Sequence, residues 1–303
     1  MEYTGNIIRI RKLTPVECWR LMGWGYKDDI WHDDDFKKAE AVCSNTQLYK
    51  QAGNGIVCSV IESIARQMRP HVDELHLTEL FGGIGCQRKG FVDAGISVFS
   101  CGYVDFDKYA TASYNAIYGE EYEPTDVTKV KGTDLYAGPK CMWTYSFPCT
   151  DLSVAGRGAG MAKGSGTRSG LLWEVERILR ERVDAGLPLP DFLLMENVTQ
   201  VHGKKNVEHF EEWIRFLESI GYHNKWKDLN AKDFGIAQNR NRTFMLSSLD
   251  PLDWFEWPEP IELTTCMADY LDEEVDEKYY IKSEKADKLI SKLIESGEID
   301  EFL

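Results

Sequence analysis

Short apolar runs alternate with longer amphipathic stretches through the middle of the chain. The runs near 75–82, 97–105, 141–148, 192–198 and 242–249 have the length of buried strands. Between them, residues 87–95, 108–119, 170–185 and 209–220 have helical character. This alternation predicts an α/β fold with a mostly parallel sheet and helices on both faces. Ligands in such sheets sit beyond the carboxyl ends of the strands. Upstream, "TPVECWRLMGW" (14–24) opens with Thr14 as N-cap, Pro15 at the first helical position and Glu17 at the third, the pattern of a capping box. Residues 55–68 predict a second helix, with Val57, Ile61, Ile64 and Met68 on one face. "RPHVDE" (69–74) then combines proline with charge, as a linker does. Beyond residue 250, "DPLDWFEWPEPIEL" predicts irregular surface structure. Residues 284–296 predict a short amphipathic helix with Leu289, Ile290 and Leu293 on its apolar side.

Composition narrows the class. With 303 residues the chain has room for one large domain and a smaller one, and 43% hydrophobic content marks a folded rather than a disordered protein. No apolar stretch reaches the roughly 18 residues of a membrane span, and "MEYTGNIIRIRKL" lacks the features of a secretory signal. An intracellular setting with reduced thiols is expected. None of the eight cysteines are spaced as CxxC, which argues against zinc sites and thioredoxin-like redox chemistry. Most of them read as small buried apolar residues. The net charge of −15 opposes phosphate binding at first sight. However, residues 248–303 hold five Lys, no Arg and seventeen acidic residues, or −12 of that total, which leaves the rest of the chain near −3. A near-neutral body can still present a basic face.

The chemistry lies in the segments just beyond the strand ends. "ELFGGIGCQRKGF" (79–91) is either an ordinary strand–helix turn or a glycine loop that lets a ligand approach a helix N-terminus, and its spacing is not GxGxxG. "GYVDFDKYA" (102–110) sets Asp105 about 20 residues beyond that turn, where an acidic residue suits ribose hydroxyls or caps the next helix. Phe106 beside it could pack on a nucleoside base. "SFPCTDLS" (146–153) puts Cys149 at a strand end, and "FLLMENV" (192–198) delivers Glu196 and Asn197 from a run so apolar that the carboxylate needs a partner. In "AQNRNRTFML" (237–246), Arg240 and Arg242 are two apart and share a face, so one can pair with Glu196.

Together "ELFGGIG", "VDFDKY", "SFPCTDLSVAGRGAGM", "MENV" and "QNRNR" resemble the motifs of the C5-cytosine DNA methyltransferases. "RKLTPVECWRLMGW" and "YKQAGNGIV" resemble the two motifs that end an ordinary member, yet here they come first. The resemblance therefore looks like that of a circularly permuted member, joined through 69–74. It implies a Rossmann-like S-adenosylmethionine-dependent fold. Residues 1–68 would be a permuted helical segment and 75–249 the catalytic, cofactor-binding domain, with 250–303 a reduced or incomplete target-recognition region.

The resemblance also implies roles. Cys149 would attack cytosine C6, Glu196 would hold the base at N3 and N4, Arg242 would hold Glu196 and the base, and Arg240 would assist. Phe81, Gly83, Gly85 and Pro148 would line the cofactor site, with Asp105 on the ribose, Phe106 on the adenine, Asp126 and Val127 at the next adenine position, and Asn54 closing the site. S-adenosylmethionine would give S-adenosylhomocysteine, and the base would be flipped out of double-stranded DNA. Ser153, Arg157, Lys163 and Arg168 would belong to a glycine-rich DNA-binding loop that folds over during catalysis. A cytoplasmic, prokaryotic or phage-encoded enzyme, free-standing or in restriction–modification, is expected. Other readings on the same scaffold are an RNA cytosine methyltransferase and a catalytically silent nucleic-acid-binding relative.

Three departures stand out. Thr150 and Gly55 replace the frequent Gln and Ser. The stretch after residue 247 is acidic and Arg-free, which is thin for reading base edges. A minimal recognition domain, a truncated chain and a second polypeptide that supplies recognition are the explanations open. A reduced or incomplete domain is favoured, and weak DNA affinity is expected for the chain alone.

Overall fold

The computed structural model describes residues 9–27, 30–149, 152, 160–164 and 166–297. Helix α1 (Pro15–Arg20) starts as its sequence predicts. The Thr14 hydroxyl accepts from the Glu17 amide at 3.3 Å, and the Glu17 carboxylate accepts from the Thr14 amide at 2.7 Å. A two-residue hairpin follows, pairing β1 (Tyr26–Lys27) with β2 (Ile30–Trp31). Helices α2 (Asp34–Glu40) and α3 (Asn45–Asn54) have no counterpart among the predicted elements. The helix expected at 55–68 is α4 (Cys58–Met68), set off from α3 by Gly55, Ile56 and Val57.

Six strands then build one sheet: β3 (Glu74–Leu80), β4 (Ser97–Val104), β5 (Cys141–Tyr145), β6 (Phe192–Val198), β7 (His223–Asn230) and β8 (Asn241–Ser248). They are interleaved with α5 (Cys86–Asp93), α6 (Lys108–Tyr118), α7 (Leu172–Asp184) and α8 (Val207–Ser219). In space the order is β4-β3-β5-β6-β8-β7. The first four strands are parallel, and β8 runs antiparallel to both β6 and β7. Five strands match the apolar runs. The sixth, β7, has no continuous apolar signal, because it is an edge strand with Lys225 and Lys227 in its middle.

The chain leaves β3 on one side to make β4 and returns on the other side to make β5. The strand order therefore reverses between β3 and β5, and a crevice opens at their carboxyl ends. All five residues of β5 are buried, with layers on both faces. One layer joins α4 and α5 to the sheet through Ile61, Ile64, Met68, Leu77 and Phe91. The other joins α7 and α8 through Trp143, Tyr145, Ile178, Trp213 and Leu217. α4 and α5 come close because Gly90 has no side chain: a Cβ there would lie 2.5 Å from Ile61.

Residues 250–262 are irregular as expected, but they are not simply surface. Leu252 and Phe255 are buried in the core, since extended chain without secondary structure can still insert alternate side chains. The C-terminal part packs on the N-terminal helices: Arg20 bonds Asp33 at 2.6 Å and Asp272 at 2.8 Å, and buried Glu17 accepts from the Asp272 amide at 2.8 Å. Helix α9 (Glu284–Glu295) closes the described chain; Ala286 is buried while Leu289 is exposed.

Candidate active site

A cavity of about 280 Å³ lies at the carboxyl edge of the sheet where the strand order reverses. It gathers residues from four strand-to-helix connections, from the start of β8 and from α3. Cys149 reaches it from the loop after β5, a stretch held at every step. Gln87 donates to the Ser146 hydroxyl at 3.0 Å, and the Asn197 amide donates to the Phe147 carbonyl at 2.9 Å. The Ser169 hydroxyl donates to the Pro148 carbonyl at 2.8 Å, and the Leu152 amide to the Cys149 carbonyl at 3.0 Å. The thiol is half-buried, and no histidine is among the described residues that line the cavity.

Glu196 and Asn197 stand just before the last residue of β6 with their side chains buried. Asn197 turns its oxygen to the Val198 amide at 2.9 Å and its nitrogen to the loop that carries Cys149, so both ends of the side-chain amide are bonded. Burial pushes the Glu196 carboxyl above its usual range, and Arg242 and Arg240 pull it back in part. The Arg242 Nε lies 3.3 Å from Glu196 Oε1. Arg240 points elsewhere: its Nη2 donates to the carbonyls of Gly53 at 3.1 Å and Gly55 at 2.8 Å.

The loop after β3 forms the opposite wall. Phe81 holds φ +58°, a left-handed conformation uncommon for a non-glycine residue. At Gly83 a Cβ would meet nothing within 4 Å, so the turn faces open space. Asp105, at the end of β4, accepts from the Gly83 amide at 2.9 Å and the Asp107 amide at 2.8 Å. Burial raises its carboxyl while these two amides lower it. Phe106 beside it is 66% exposed at the rim.

Eleven of the residues singled out in the sequence line this one cavity: Cys149, Glu196, Arg240, Arg242, Phe81, Gly83, Asp105, Phe106, Pro148, Asn54 and Arg168. Four others lie away from its lining. Gly85 is the N-cap of α5 at φ +80°. The Asp126 side chain accepts from the Thr128 amide, and Val127 is buried in the core. Lys163 is bound to Glu176 on α7 at 2.7 Å. Ser153 and Arg157 fall outside the described residues, as does Thr150. Lys50, Gln51 and Ser146 line the cavity without having been singled out. For the first two, the signal available was their one-turn spacing from Asn54 on a single helix. Gly55 also has a packing reason: a Cβ there would come within 3.3 Å of the Cys86 sulfur.

A mixed sheet with helices on both faces, and a cysteine, a buried carboxylate and a glycine turn around one cavity at its switch point, place the chain among the α/β proteins that bind ligands beyond the strand ends. The solved structure of the Schizosaccharomyces pombe Dnmt2 methyltransferase covers 74% of this chain and 66% of its own, with TM-score 0.54 and 22% identity. An Entamoeba histolytica methyltransferase covers 73% and 64%, with TM-score 0.53 and 20% identity. These establish the shared fold. The sequence matches the family model described as C-5 cytosine-specific DNA methylase over residues 3–69 and 75–300, and the chain belongs to that family. Among curated relatives, the type II methyltransferase M2.ScrFI of Lactococcus lactis subsp. cremoris is 41% identical over 177 residues, 58% of this chain and 45% of the relative. The orphan methyltransferase M.SssI of Spiroplasma monobiae is 48% identical over 174 residues, 54% of this chain and 42% of the relative. The matched stretch thus spans less than half of either relative. Among the described residues, no helix is long and apolar enough to cross a membrane.

Proposed function

We propose that the chain is a DNA (cytosine-5-)-methyltransferase that methylates C5 of a cytosine flipped out of duplex DNA. The observation that carries this reading is one cavity shared by Cys149, Glu196, Arg242, the Gly83 turn and Asp105 in a chain of this family. The lining suits an adenosyl group. A turn that faces open space at Gly83 suits the methionine end, and the Asp105 oxygens keep lone pairs for ribose hydroxyls. The exposed Phe106 ring offers a face for adenine, with Asn54 and Pro148 on the same lining. When bound, S-adenosylmethionine supplies an electrophilic methyl group for C5.

The chain's own groups do the rest. The Cys149 thiolate forms a bond to cytosine C6, and the ring's electron pair moves toward C5. Glu196, whose carboxyl burial favours the protonated form, holds a hydrogen bond to N3 and supports the charge that develops. Arg242 fixes that carboxyl at 3.3 Å. Once C5 is methylated, its proton leaves to water and the C6–S bond breaks, which returns the thiolate. Histidine is not needed, because activation acts on the base.

Two finer points belong to the same reading. The N-terminal block is the permuted end of the family's order. Supporting this, the family match falls into two blocks and Asn54 lines the cavity from α3. The acidic, Arg-free region after residue 247 is a reduced or incomplete recognition region that contributes little to base readout, so DNA affinity is weak. The test is covalent trapping on duplex DNA containing 5-fluorocytosine in the presence of S-adenosylmethionine. The wild type forms a denaturation-resistant adduct and Cys149→Ala forms none. An adduct that survives in Cys149→Ala removes the assignment, and one formed on RNA but not on duplex DNA moves the substrate to RNA.

A further inference from the structure

The two arginines that precede and open β8 do different work. Arg242 reaches Glu196. Arg240 turns to the end of α3, where helix carbonyls lack intrahelical donors and a cation is favoured. Its Nη2 bonds the carbonyls of Gly53 at 3.1 Å and Gly55 at 2.8 Å, bracketing Asn54. The Arg240 backbone is itself pinned on both sides: its amide donates to Asn230 Oδ1 at 3.0 Å, and its carbonyl accepts from the Ala231 amide at 3.0 Å. Two residues earlier, Gln238 makes a parallel contact, donating to the Leu21 carbonyl at the end of α1 at 2.8 Å. Gln238, Arg240 and Arg242 are alternate residues: the first two grip the N-terminal helices and the third grips the catalytic carboxylate.

We propose that Arg240 is a positioning residue, holding the Gly53–Gly55 turn and Asn54 against the cofactor end of the cavity, and that Gln238 assists by fixing α1. Arg242 is the one that contacts Glu196 and would hold the base, while Arg240 reaches that carboxylate only through its charge. The contact spans residues nearly two hundred positions apart in the chain, so it joins two blocks that the family match also separates. Loss of Arg240 frees the turn, weakens cofactor binding and leaves the chemistry at Glu196 largely in place.

This inference rests on the proposed activity, and the experiment separates the two. S-adenosylhomocysteine is titrated calorimetrically into the wild type, Arg240→Ala, Arg240→Lys and Arg242→Ala, and kcat is measured at saturating S-adenosylmethionine. Wild-type binding tests the functional reading by itself. Given that binding, Arg240→Ala weakens S-adenosylhomocysteine about tenfold for two lost carbonyl contacts, with kcat within about threefold of wild type. Arg242→Ala does the reverse, losing turnover while keeping affinity. Arg240→Lys keeps the charge and one carbonyl contact, gives an intermediate loss of affinity, and decides the matter if the alanine variant does not fold. Unchanged affinity in the Arg240 variants, with kcat falling as in Arg242→Ala, overturns the proposal.

Discussion

Two loops leave neighbouring parallel strands at the same edge of the sheet and are held by different parts of the chain. The glycine loop after β3 is anchored by residues that come soon after it in the chain. Tyr103 donates to the Gly83 carbonyl at 2.8 Å and Tyr118 to the Gly85 carbonyl at 2.6 Å, while Asp105 takes the Gly83 amide. The loop after β5, which carries the proposed nucleophile Cys149, is anchored by Gln87 on α5, Asn197 on β6 and Ser169 before α7. One wall of the cavity is therefore built locally within a single β–α–β–α unit. The other exists only once strands distant in sequence have assembled. Damage to the first should show in cofactor affinity, and damage to the second in turnover.

The largest effect expected from this contrast is at Asn197. Asn197→Ala leaves the buried Phe147 carbonyl without its donor, at a cost of about 1–3 kcal/mol in stability. A nucleophile displaced by even ~1 Å can lose about 10²-fold in rate. Single-turnover assays should show kcat falling by that order while S-adenosylhomocysteine affinity stays within about twofold of wild type. A variant that loses affinity as much as rate would show that the two walls are not independent.

A smaller effect, and a pH-dependent one, lies beneath the glycine loop. Glu79 on β3 is fully buried and accepts from the Tyr114 hydroxyl at 2.7 Å, with its other oxygen unpartnered. Arg88 bonds that hydroxyl at 3.1 Å and Glu120 at 2.8 Å. Burial raises the Glu79 carboxyl to about 7, whereas an unfolded glutamate titrates near ~4.3. Between those values the folded protein keeps a proton that the unfolded chain releases. Glu79 therefore stabilises most below about pH 4.3 and loses its contribution as pH rises toward about 7. Glu79→Gln should flatten this part of the profile, by up to about 1.4 kcal/mol per pH unit. Denaturation midpoints of both proteins from pH 5 to 8.5 measure it, and parallel profiles would refute it. The nucleophile loop's anchors, an amide pair and a hydroxyl, have no titrating group and should show no such slope.

Much of this arrangement was legible in the sequence for a physical reason. The parallel strands β5 and β6, buried on both faces, write themselves as apolar runs, as does the edge strand β4 through Val98, Phe99, Tyr103 and Val104. Carboxyl ends are where ligands bind, so Cys149, Glu196 and Asp105 stand at marked positions. What stayed hidden was of two kinds. Polar surface elements lack the runs: β7 carries lysines in its middle, and α3 buries only Leu48, Gln51 and Ala52. Long-range anchors lack any local signature: nothing near Gln87 names Ser146, and nothing near Arg240 names Gly55. Phe255 departs from expectation because irregular backbone is not the same thing as exposure.

The finest test compares two tyrosines on the local wall. Burial pushes both hydroxyls well above the ordinary tyrosine range, so each remains a proton donor at any working pH. Tyr103 holds Gly83, which lines the cavity, and Tyr118 holds Gly85, which caps α5 and does not. Replacing either by Phe keeps the ring packing and removes one hydrogen bond, worth about 1 kcal/mol. In Tyr118→Phe the cost should appear in the denaturation midpoint alone. In Tyr103→Phe it should appear as about fivefold weaker S-adenosylhomocysteine binding as well, since the freed carbonyl belongs to the turn that meets the ligand. Equal affinities in the two variants would mean that the glycine loop is held by its backbone and by Asp105, with the tyrosines serving only as packing.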